Sequence, residues 1–518
     1  MEMPVGFSTL QEILKTRDAL ERNRDPWEEL RPDTVLLLTS GLYYSRRGDY
    51  SLVIEPESAT YIRIRASDLR YLRLMERPVF FRDLLAATPE VPEEEMRKLL
   101  NFLYLNQIIS LDHHLYYDAK MWEQRMGLAH FHVVRVTQRC NFNCTYCYAN
   151  CTPNAQDMSL DTLKLVIEKI VAEMPSPRTT IEYHGGEPLL VFDMLIEGTK
   201  FAYEIMKKYN KKVQFLVQTN GSLLTEEKCR LLSDNFIGVG VSIDGSPAIH
   251  DKYRVYYDGR GTHADAWRGY SIAKKYLCGA GVLADLQDTT DYPEAFNYLT
   301  SMGVPTMALK TTFACDKPLK EGLKFDLERH LPLFDGYIYG FEQLAKLNEG
   351  LTKNQFDVRE INQVLANIVH KDRRVMCLKT PCGAINSVTG IDVHGNIYPC
   401  DEFSGQNEWR IGNVKDPRPM AKIIMDSPVT KTFFSRHPSK MTRCAPCTWR
   451  FFCNGACPTS AYNLYKTIYR GDQLCGFLSR IFEEFIWRLM EKPENVKYYC
   501  DPDGTVTLEK NMPDDFAS

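Results

Sequence analysis

"HFHVVRVTQRCNFNCTYC", residues 130–147, places an apolar, β-branched run directly before three closely spaced cysteines, Cys140, Cys144 and Cys147. The run reads as a strand, and the cysteines fall on the loop behind it. Outward from it the pattern repeats. "SLDTLKLVIEKIVAEM" is an amphipathic helix with Leu160, Leu163, Ile167 and Ile170 on one face and Ser159 placed to cap it. Then come strand-like "RTTIEYH", "KVQFLVQTN", "FIGVGVSID", "GVLADLQD" and "VPTMALKTTF", separated by helical stretches at 191–208, 225–234, 263–278 and 293–302. Six βα units imply a parallel sheet, either open and doubly wound or a partial barrel. In both, reactive groups belong on loops at the carboxyl ends of the strands.

The 518 residues predict two to four domains, with 44% hydrophobic and 25% charged residues. A net charge of −4 gives no reason to expect nucleic acid or membrane as a partner. The start, "MEMPVGFSTLQEILKTRDAL", lacks the basic and apolar regions of a signal peptide, and no stretch has the length and apolarity of a membrane span. A cytoplasmic location is therefore expected. There, dense cysteines mean metal or catalysis more often than disulfides. The sixteen cysteines fall into groups at 140–151, 377–400 and 444–475. Cys229, Cys278, Cys315 and Cys500 lie outside these groups and read as ordinary buried thiols.

Cys140-x3-Cys144-x2-Cys147 supplies three thiolates on one tight loop, and Cys151 follows four residues later. Three readings compete. An open 4Fe–4S cluster would use three cysteines and leave one iron free. A closed cluster would add Cys151, although the spacing departs from the ferredoxin run by one residue at the first gap and at Pro153. A zinc site would want paired CxxC or Cys/His ligands, and no histidine is adjacent.

The other strand ends bear on this choice. "EYHGGEPLL" puts Gly185, Gly186 and Glu187 after the second strand, where two glycines would let the backbone approach a ligand and Glu187 could accept from an ammonium group. "QTNGSLL" places Gln218, Thr219 and Asn220 after the third strand. "SIDGSPAIHDKYR" places Ser242 and Asp244 after the fourth, with Arg254 beyond. The CxxxCxxC with Tyr146 before its last cysteine, then GGEP, TNG and SIDG, resembles the radical S-adenosylmethionine (SAM) superfamily over about 180 residues. The resemblance implies a (β/α)6 partial TIM-like barrel. In it Cys140, Cys144 and Cys147 hold a 4Fe–4S cluster whose open iron binds SAM. The Gly185–Glu187 segment would contact the SAM amine, Tyr146 would lie near the adenine, and Ser242 and Arg254 are further SAM contacts. Reductive cleavage of SAM would give a 5′-deoxyadenosyl radical that takes a hydrogen from the substrate.

Toward the C-terminus, Cys382-x12-Gly395-x4-Cys400, then Cys444-x2-Cys447-x5-Cys453-x3-Cys457, then Cys475, is similar to the SPASM domain of radical SAM enzymes, with Cys377 as an eighth thiol. Two zinc ribbons are the alternative. By the family pattern, Cys377, Cys382, Cys400 and Cys457 would hold a first auxiliary 4Fe–4S cluster, and Cys444, Cys447, Cys453 and Cys475 a second. That makes three 4Fe–4S clusters in all. Asp401, directly after Cys400, becomes a candidate general base by the same resemblance. Capping a loop or facing water is the plainer reading.

Ahead of the βα region, "TVLLLTSGLYY" and "YSLVIEPESATYIRIR" read as a β-meander with turns at 47–49 and 55–59. Three helices and a closing strand follow, a winged-helix-like unit. Its third helix opens Glu93-Glu94-Glu95 and has no basic stripe, which argues against DNA. Before a SPASM enzyme this module resembles the precursor recognition element of ribosomal-peptide maturases, which takes a leader peptide as an added strand. The expected organisation is 1–120 leader binding, 128–312 radical SAM barrel, 313–376 helical bridge, 377–480 SPASM, and 481–518 terminal helix and tail. The resemblance implies an oxidoreductase that crosslinks a precursor peptide (thioether, C–C or C–O) and draws electrons from a flavodoxin or ferredoxin. The alternatives are a formylglycine-forming sulfatase maturase, a radical excision or other peptide modification, and a non-enzymatic iron–sulfur electron carrier.

Overall fold

The structure is a computed structural model. It describes residues 3–14, 30–116, 128–147, 149, 151–277, 279–311, 331–351, 354–370, 376–379, 382–471 and 473–499. All six expected strands of the βα region form. In the full strand numbering they are β8 (Phe131–Thr137), β9 (Arg178–Gly185), β10 (Lys212–Thr219), β11 (Ile237–Ser242), β12 (Gly281–Leu286) and β13 (Thr306–Thr311). Each pairs parallel with the next, and β14 (Asp357–Val358) extends the edge beside β13. Helices Leu160–Glu168, Phe192–Tyr209, Glu226–Asp234, His263–Tyr276 and Tyr292–Ser301 make the crossovers. Ser159 caps the first of these by accepting from the Thr162 amide.

Side chains alternate along these strands with period two. Ile181, Tyr183, Val213, Phe215, Val217, Val239, Val241, Val282 and Leu286 lie under the helices, each less than a twentieth exposed. Their neighbours Glu182, His184, Gln214, Gln218, Gly240, Asp285 and Lys310 are half-buried and face the other way. Strands four places apart in a flat sheet lie roughly 19 Å from each other. Yet Lys310 on β13 and Arg359 just past β14 both bear electrostatically on Glu182 of β9. The sheet therefore curls, and the half-buried polar face lines its hollow.

The sheet continues past β8. Strand β15 (Val388–Ile391) pairs parallel with β8, matching Val388 to Phe131 and Ile391 to Val134. Strands β16 (Asn396–Tyr398) and β17 (Gly412–Asn413) follow antiparallel. The cysteine-rich region is thus built onto the edge of the barrel wall that carries the first cysteine loop. The expected bridge contains helices Leu331–Asn348 and Arg359–Val369, and the terminal helix runs Cys475–Glu491.

The N-terminal region differs from the single meander read from sequence. Strands β3 (Tyr43–Arg47), β4 (Tyr50–Glu55) and β5 (Thr60–Arg65) form that meander, with β1 (Val5–Gly6) beside β5. Strand β2 (Val35–Leu38) instead sits between β6 (Val79–Phe80) and β7 (Ile109–Leu111) in a separate sheet. The cause is pairing: Leu36 to Leu38 take Leu111 to Ile109 as partners, closing the sheet with the last strand of the unit. The three helices form at Leu69–Leu74, Phe81–Ala87 and Glu93–Leu105. Phe7, Leu10, Leu52, Ile54, Ala59 and Tyr61 join the main core of the molecule, whereas Leu36, Leu72, Leu99 and Leu103 make a smaller core of their own. Among the described residues no helix is long and apolar enough to cross a membrane.

Candidate cluster and cofactor site

The loop after β8 is fastened on both sides. Asn143 and Thr145 donate their amides to the carbonyls of Val255 and Tyr253, at 2.7 and 3.0 Å. Phe142, 2% exposed, meets Tyr256 edge-on. Arg139 pairs with Asp157 at 2.6 Å. The thiols carried by this loop lie near one another. Burial pushes Cys140 up to about 12, with Cys144 and Cys147 among its electrostatic neighbours. Cys144 is likewise raised to about 11, an effect that the Arg254 guanidinium beside it opposes. Cys151 also belongs to this group: its thiol is hydrogen-bonded to Cys147, which holds Cys147 low and pushes Cys151 up.

Facing the loop is a buried polar network. Asp244, 1% exposed, accepts from Arg254 Nε at 2.7 Å and Nη2 at 3.0 Å, from Tyr146 Oη at 2.7 Å and from the Asp285 amide at 2.8 Å. Its own amide donates to His250 Nδ1 at 3.1 Å, and His250 Nε2 meets Thr262 Oγ1 at 3.0 Å. The Arg254 guanidinium also lies 5.3 Å from the centre of the Tyr146 ring. Tyr146 and Arg254, two of the expected SAM contacts, are therefore tied to Asp244. Ser242 lies at the end of β11 and accepts from Gln218 Nε2 at 3.0 Å.

The glycines of the GGEP segment bring two stretches of backbone together. A Cβ on Gly185 would lie 2.2 Å from the Thr137 carbonyl oxygen, and one on Gly186 only 1.9 Å from that of Arg139. Gly185 also has φ +124°, a region open to glycine. The two glycines thus let the end of β9 press against the cysteine loop, where Gly186 and Glu187 donate their amides to those same carbonyls. Glu187 is fully buried. Its carboxyl accepts from Thr219 Oγ1 at 2.7 Å, from the Asn220 amide at 2.8 Å and from the Leu189 amide at 3.0 Å. Those donors come from the protein, so Glu187 joins the GGEP and TNG loops.

The C-terminal thiols gather in two places. Cys444, Cys447, Cys453 and Cys475 line one cavity, with Arg443, Arg450 and Leu478 among its other walls. Cys400, strongly desolvated, has Cys457, Cys382 and Cys377 around it. Cys377 is open to solvent, yet protein around it raises its thiol to about 11, as befits a side chain lining a deep hollow. The Leu378 carbonyl accepts from Asn367 and Asn454, at 2.6 and 2.8 Å, and so moors the Cys377 segment to the 453–457 turn. Desolvated thiols in such groups fit a metal cluster, because coordination deprotonates a thiol outright. Asp401 lies beside this second group, in an ion pair with Arg135. Of the four cysteines outside the groups, Cys229 is fully buried, and Cys278, Cys315 and Cys500 lie outside the described residues.

Residues 134–283 match the radical SAM superfamily, and residues 382–448 match the SPASM iron–sulfur cluster-binding domain. An uncharacterized protein of Methanocaldococcus jannaschii is 33% identical over 294 residues, covering 56% of this chain and 90% of that protein. The chain belongs to the radical SAM superfamily. A serine-type anaerobic sulfatase-maturating enzyme of Bacteroides thetaiotaomicron is 26% identical over 347 residues, 62% of this chain and 81% of the relative. The solved structure "Native anSMEcpe with bound AdoMet and Cp18Cys peptide" shares the fold, with a TM-score of 0.59 at 20% identity, over 70% of this chain and 98% of that one. The chain is thus an enzyme of radical-based oxidative chemistry with a SPASM domain.

Sequence reasoning missed Arg135, Glu182 and Lys310, which face the hollow. The signal was present: each is a charge inside a parallel strand, where period two puts it opposite the helix-packed side chains.

Proposed function

We propose that the enzyme modifies a ribosomally made peptide, with Cys140, Cys144 and Cys147 holding the SAM-binding 4Fe–4S cluster. Cys377, Cys382, Cys400 and Cys457 then hold one auxiliary cluster, and Cys444, Cys447, Cys453 and Cys475 the other. When bound, the first cluster and SAM supply a 5′-deoxyadenosyl radical. The protein's own part is positional. Asp244 fixes Arg254 and Tyr146 at the rim of the cysteine loop, and Glu187 locks the neighbouring loops. The polar hollow lined by Glu182, His184, Gln218 and Lys310 receives the substrate segment and keeps bulk water from it.

The observation that carries the peptide-maturase reading is the outer edge of β3. Among the described residues β3 pairs only with β4, which leaves a row of backbone groups for an added strand. That same strand is pinned to the helix that begins at Cys475. Tyr43 Oη donates to Glu483 at 3.2 Å, Ser45 Oγ donates to the same carboxylate at 2.5 Å, and Arg47 pairs with Glu484 at 2.6 Å. A leader peptide added to β3 would lie against the cysteine-rich domain, which directs the following core peptide toward the barrel. A flavodoxin or ferredoxin is the expected electron donor, and the cytoplasm the expected compartment.

The test is co-expression with each small peptide encoded beside the gene, read by mass spectrometry. Loss of two hydrogens with a new crosslink supports the reading. Unmodified peptides together with conversion of a sulfatase peptide to formylglycine would replace it with sulfatase maturation, the second reading, which the names of several relatives favour.

A further inference from the structure

Arg135 stands on β8 five residues before Cys140, and Asp401 directly follows Cys400. The two meet in a buried three-point grip, their side chains 8% and 12% exposed. Arg135 Nε donates to Asp401 Oδ1 at 2.7 Å. Its Nη2 donates to Oδ2 at 3.1 Å and to the Asp401 backbone carbonyl at 3.0 Å. A planar guanidinium holding both carboxylate oxygens and the main chain fixes direction as well as distance. The same turn is pressed from behind by β15. A Cβ on Gly390 would lie 2.8 Å from the Cys400 carbonyl oxygen and 2.9 Å from the Asp401 Cα. The ladder joining β15 to β8 ends at the pair Ile391–Val134, one residue before Arg135. The turn that carries Cys400 is therefore clamped between β15 and a side chain of the strand that feeds the first cysteine loop. The charge of Arg135 also bears on Cys151 of that loop and on Glu402 beyond Asp401.

We infer that Arg135 and Asp401 form a positioning strut between the two cluster-bearing segments. Asp401 then acts as an anchor that aims Cys400. The inference rests on the reading that Cys400 ligates an auxiliary cluster. Both carboxylate oxygens of Asp401 are held by Arg135, which fixes the direction of the side chain and of the turn that carries Cys400. The two charges of the pair offset each other, and loss of either partner changes the local charge by one unit.

The experiment uses full-length, reconstituted enzyme without peptide. The auxiliary-cluster reduction potentials and electron paramagnetic resonance line shapes are measured for wild type, Arg135→Met, Asp401→Asn, the double variant and Arg135→Lys. Removing the cation makes an added electron less favourable, so Arg135→Met shifts one auxiliary potential downward. Asp401→Asn shifts the same potential upward, and the double variant returns toward wild type. Arg135→Lys keeps the charge but loses the fork, so it changes the line shape more than the potential. Unchanged potentials in all variants of a protein with about twelve irons, four for each cluster, would overturn the strut alone. Shifts that fail to cancel in the double variant would overturn the pairing. Wild-type protein with only about four irons would overturn the cluster reading and the strut with it.

Discussion

Around Cys140, Cys144 and Cys147 the neighbours are charged and hydrogen-bonded to one another. Arg254 lies beside Cys144, Asp244 holds Arg254 and Tyr146, and Cys151 reaches Cys147. Around Cys444, Cys447, Cys453 and Cys475, four thiols line a single cavity, with Arg443, Arg450, Gly455, Ala456, Gly471 and Leu478 among its other walls. The first group sits at strand ends, on the rim of a hollow lined with half-buried polar residues. The second lines one cavity, with Cys444 buried and Cys475 exposed. Three ligands on a rim leave room for a substrate at the metal, whereas four around a cavity suit a site that only holds and passes electrons.

The largest effect should come from removing one ligand set and sparing the other. Cys140→Ala/Cys144→Ala/Cys147→Ala should abolish 5′-deoxyadenosine formation while the protein keeps about eight of about twelve irons. Cys444→Ala/Cys447→Ala should also lose about four irons, yet keep peptide-free SAM cleavage within about threefold, under about 1 kcal/mol of barrier. Equal loss of SAM cleavage in both would erase the distinction between rim and cavity. Iron and sulfide counts with chromatographic detection of 5′-deoxyadenosine provide both readouts.

Next in size is the ion pair at the rim, Arg254 with Asp244. Arg254→Met leaves Asp244 buried without its cation, at a cost of about 3–5 kcal/mol. Burial alone would raise the Asp244 carboxyl, and Arg254, with His250 and the Asp285 amide, more than offsets that, so the group is held below its usual range. Arg254→Met/Asp244→Asn should therefore be less destabilised than Arg254→Met alone. Thermal unfolding of the three variants tests this, and a double variant as unstable as the sum would remove the pair from the rim's support.

How far this was legible in the sequence differs along the chain. The six βα units and the grouping of thiols could be read because both depend on local order: period two in strands, and cysteines spaced within single loops. What Glu187 touches could not be read, since Thr219 and Asn220 reach it from thirty residues away. Nor could the close approach of Gly185 and Gly186 to the carbonyls of Thr137 and Arg139, which belong to the preceding strand and its loop. The placing of β2 failed for a similar reason, because its partner β7 lies more than seventy residues along. Arg135 was visible as a charge, but its partner is 266 residues distant. Non-local pairing, not composition, hid each of these.

A smaller effect lies at the join between the two regions. His132 on β8 is fully buried, with Nδ1 on Thr389 Oγ1 of β15 at 2.7 Å and Nε2 without a partner. Burial lowers its pKa from 6.5 to about 3. Between those values the unfolded chain binds a proton that the folded chain refuses, so stability falls as pH drops below about 6.5 and is unaffected above it. The slope approaches about 1.4 kcal/mol per pH unit, roughly 4–5 kcal/mol over the whole range. His132→Gln keeps a polar group for Thr389 and cannot titrate, so its unfolding temperature between pH 7 and pH 5.5 should fall less than that of wild type. Parallel curves for the two proteins would remove His132 from the acid response.

The smallest expected effect is at Cys151, and it bears most directly on the open rim. Its thiol is hydrogen-bonded to Cys147 and lies 3.7 Å from the Ala149 carbonyl. If it only packs there, Cys151→Ala removes about one weak hydrogen bond, on the order of 1 kcal/mol or less. Iron content and 5′-deoxyadenosine formation should then match wild type. Cys151 is also close enough to bear on the group's electrostatics, with both Cys147 and Cys140 among its neighbours. A fourth ligand would fill the position that SAM needs, and its removal would lower iron retention while leaving a coordination site vacant. A Cys151→Ala enzyme that loses its cluster would therefore make the first site as closed as the second, and the contrast between rim and cavity would fail at its central point.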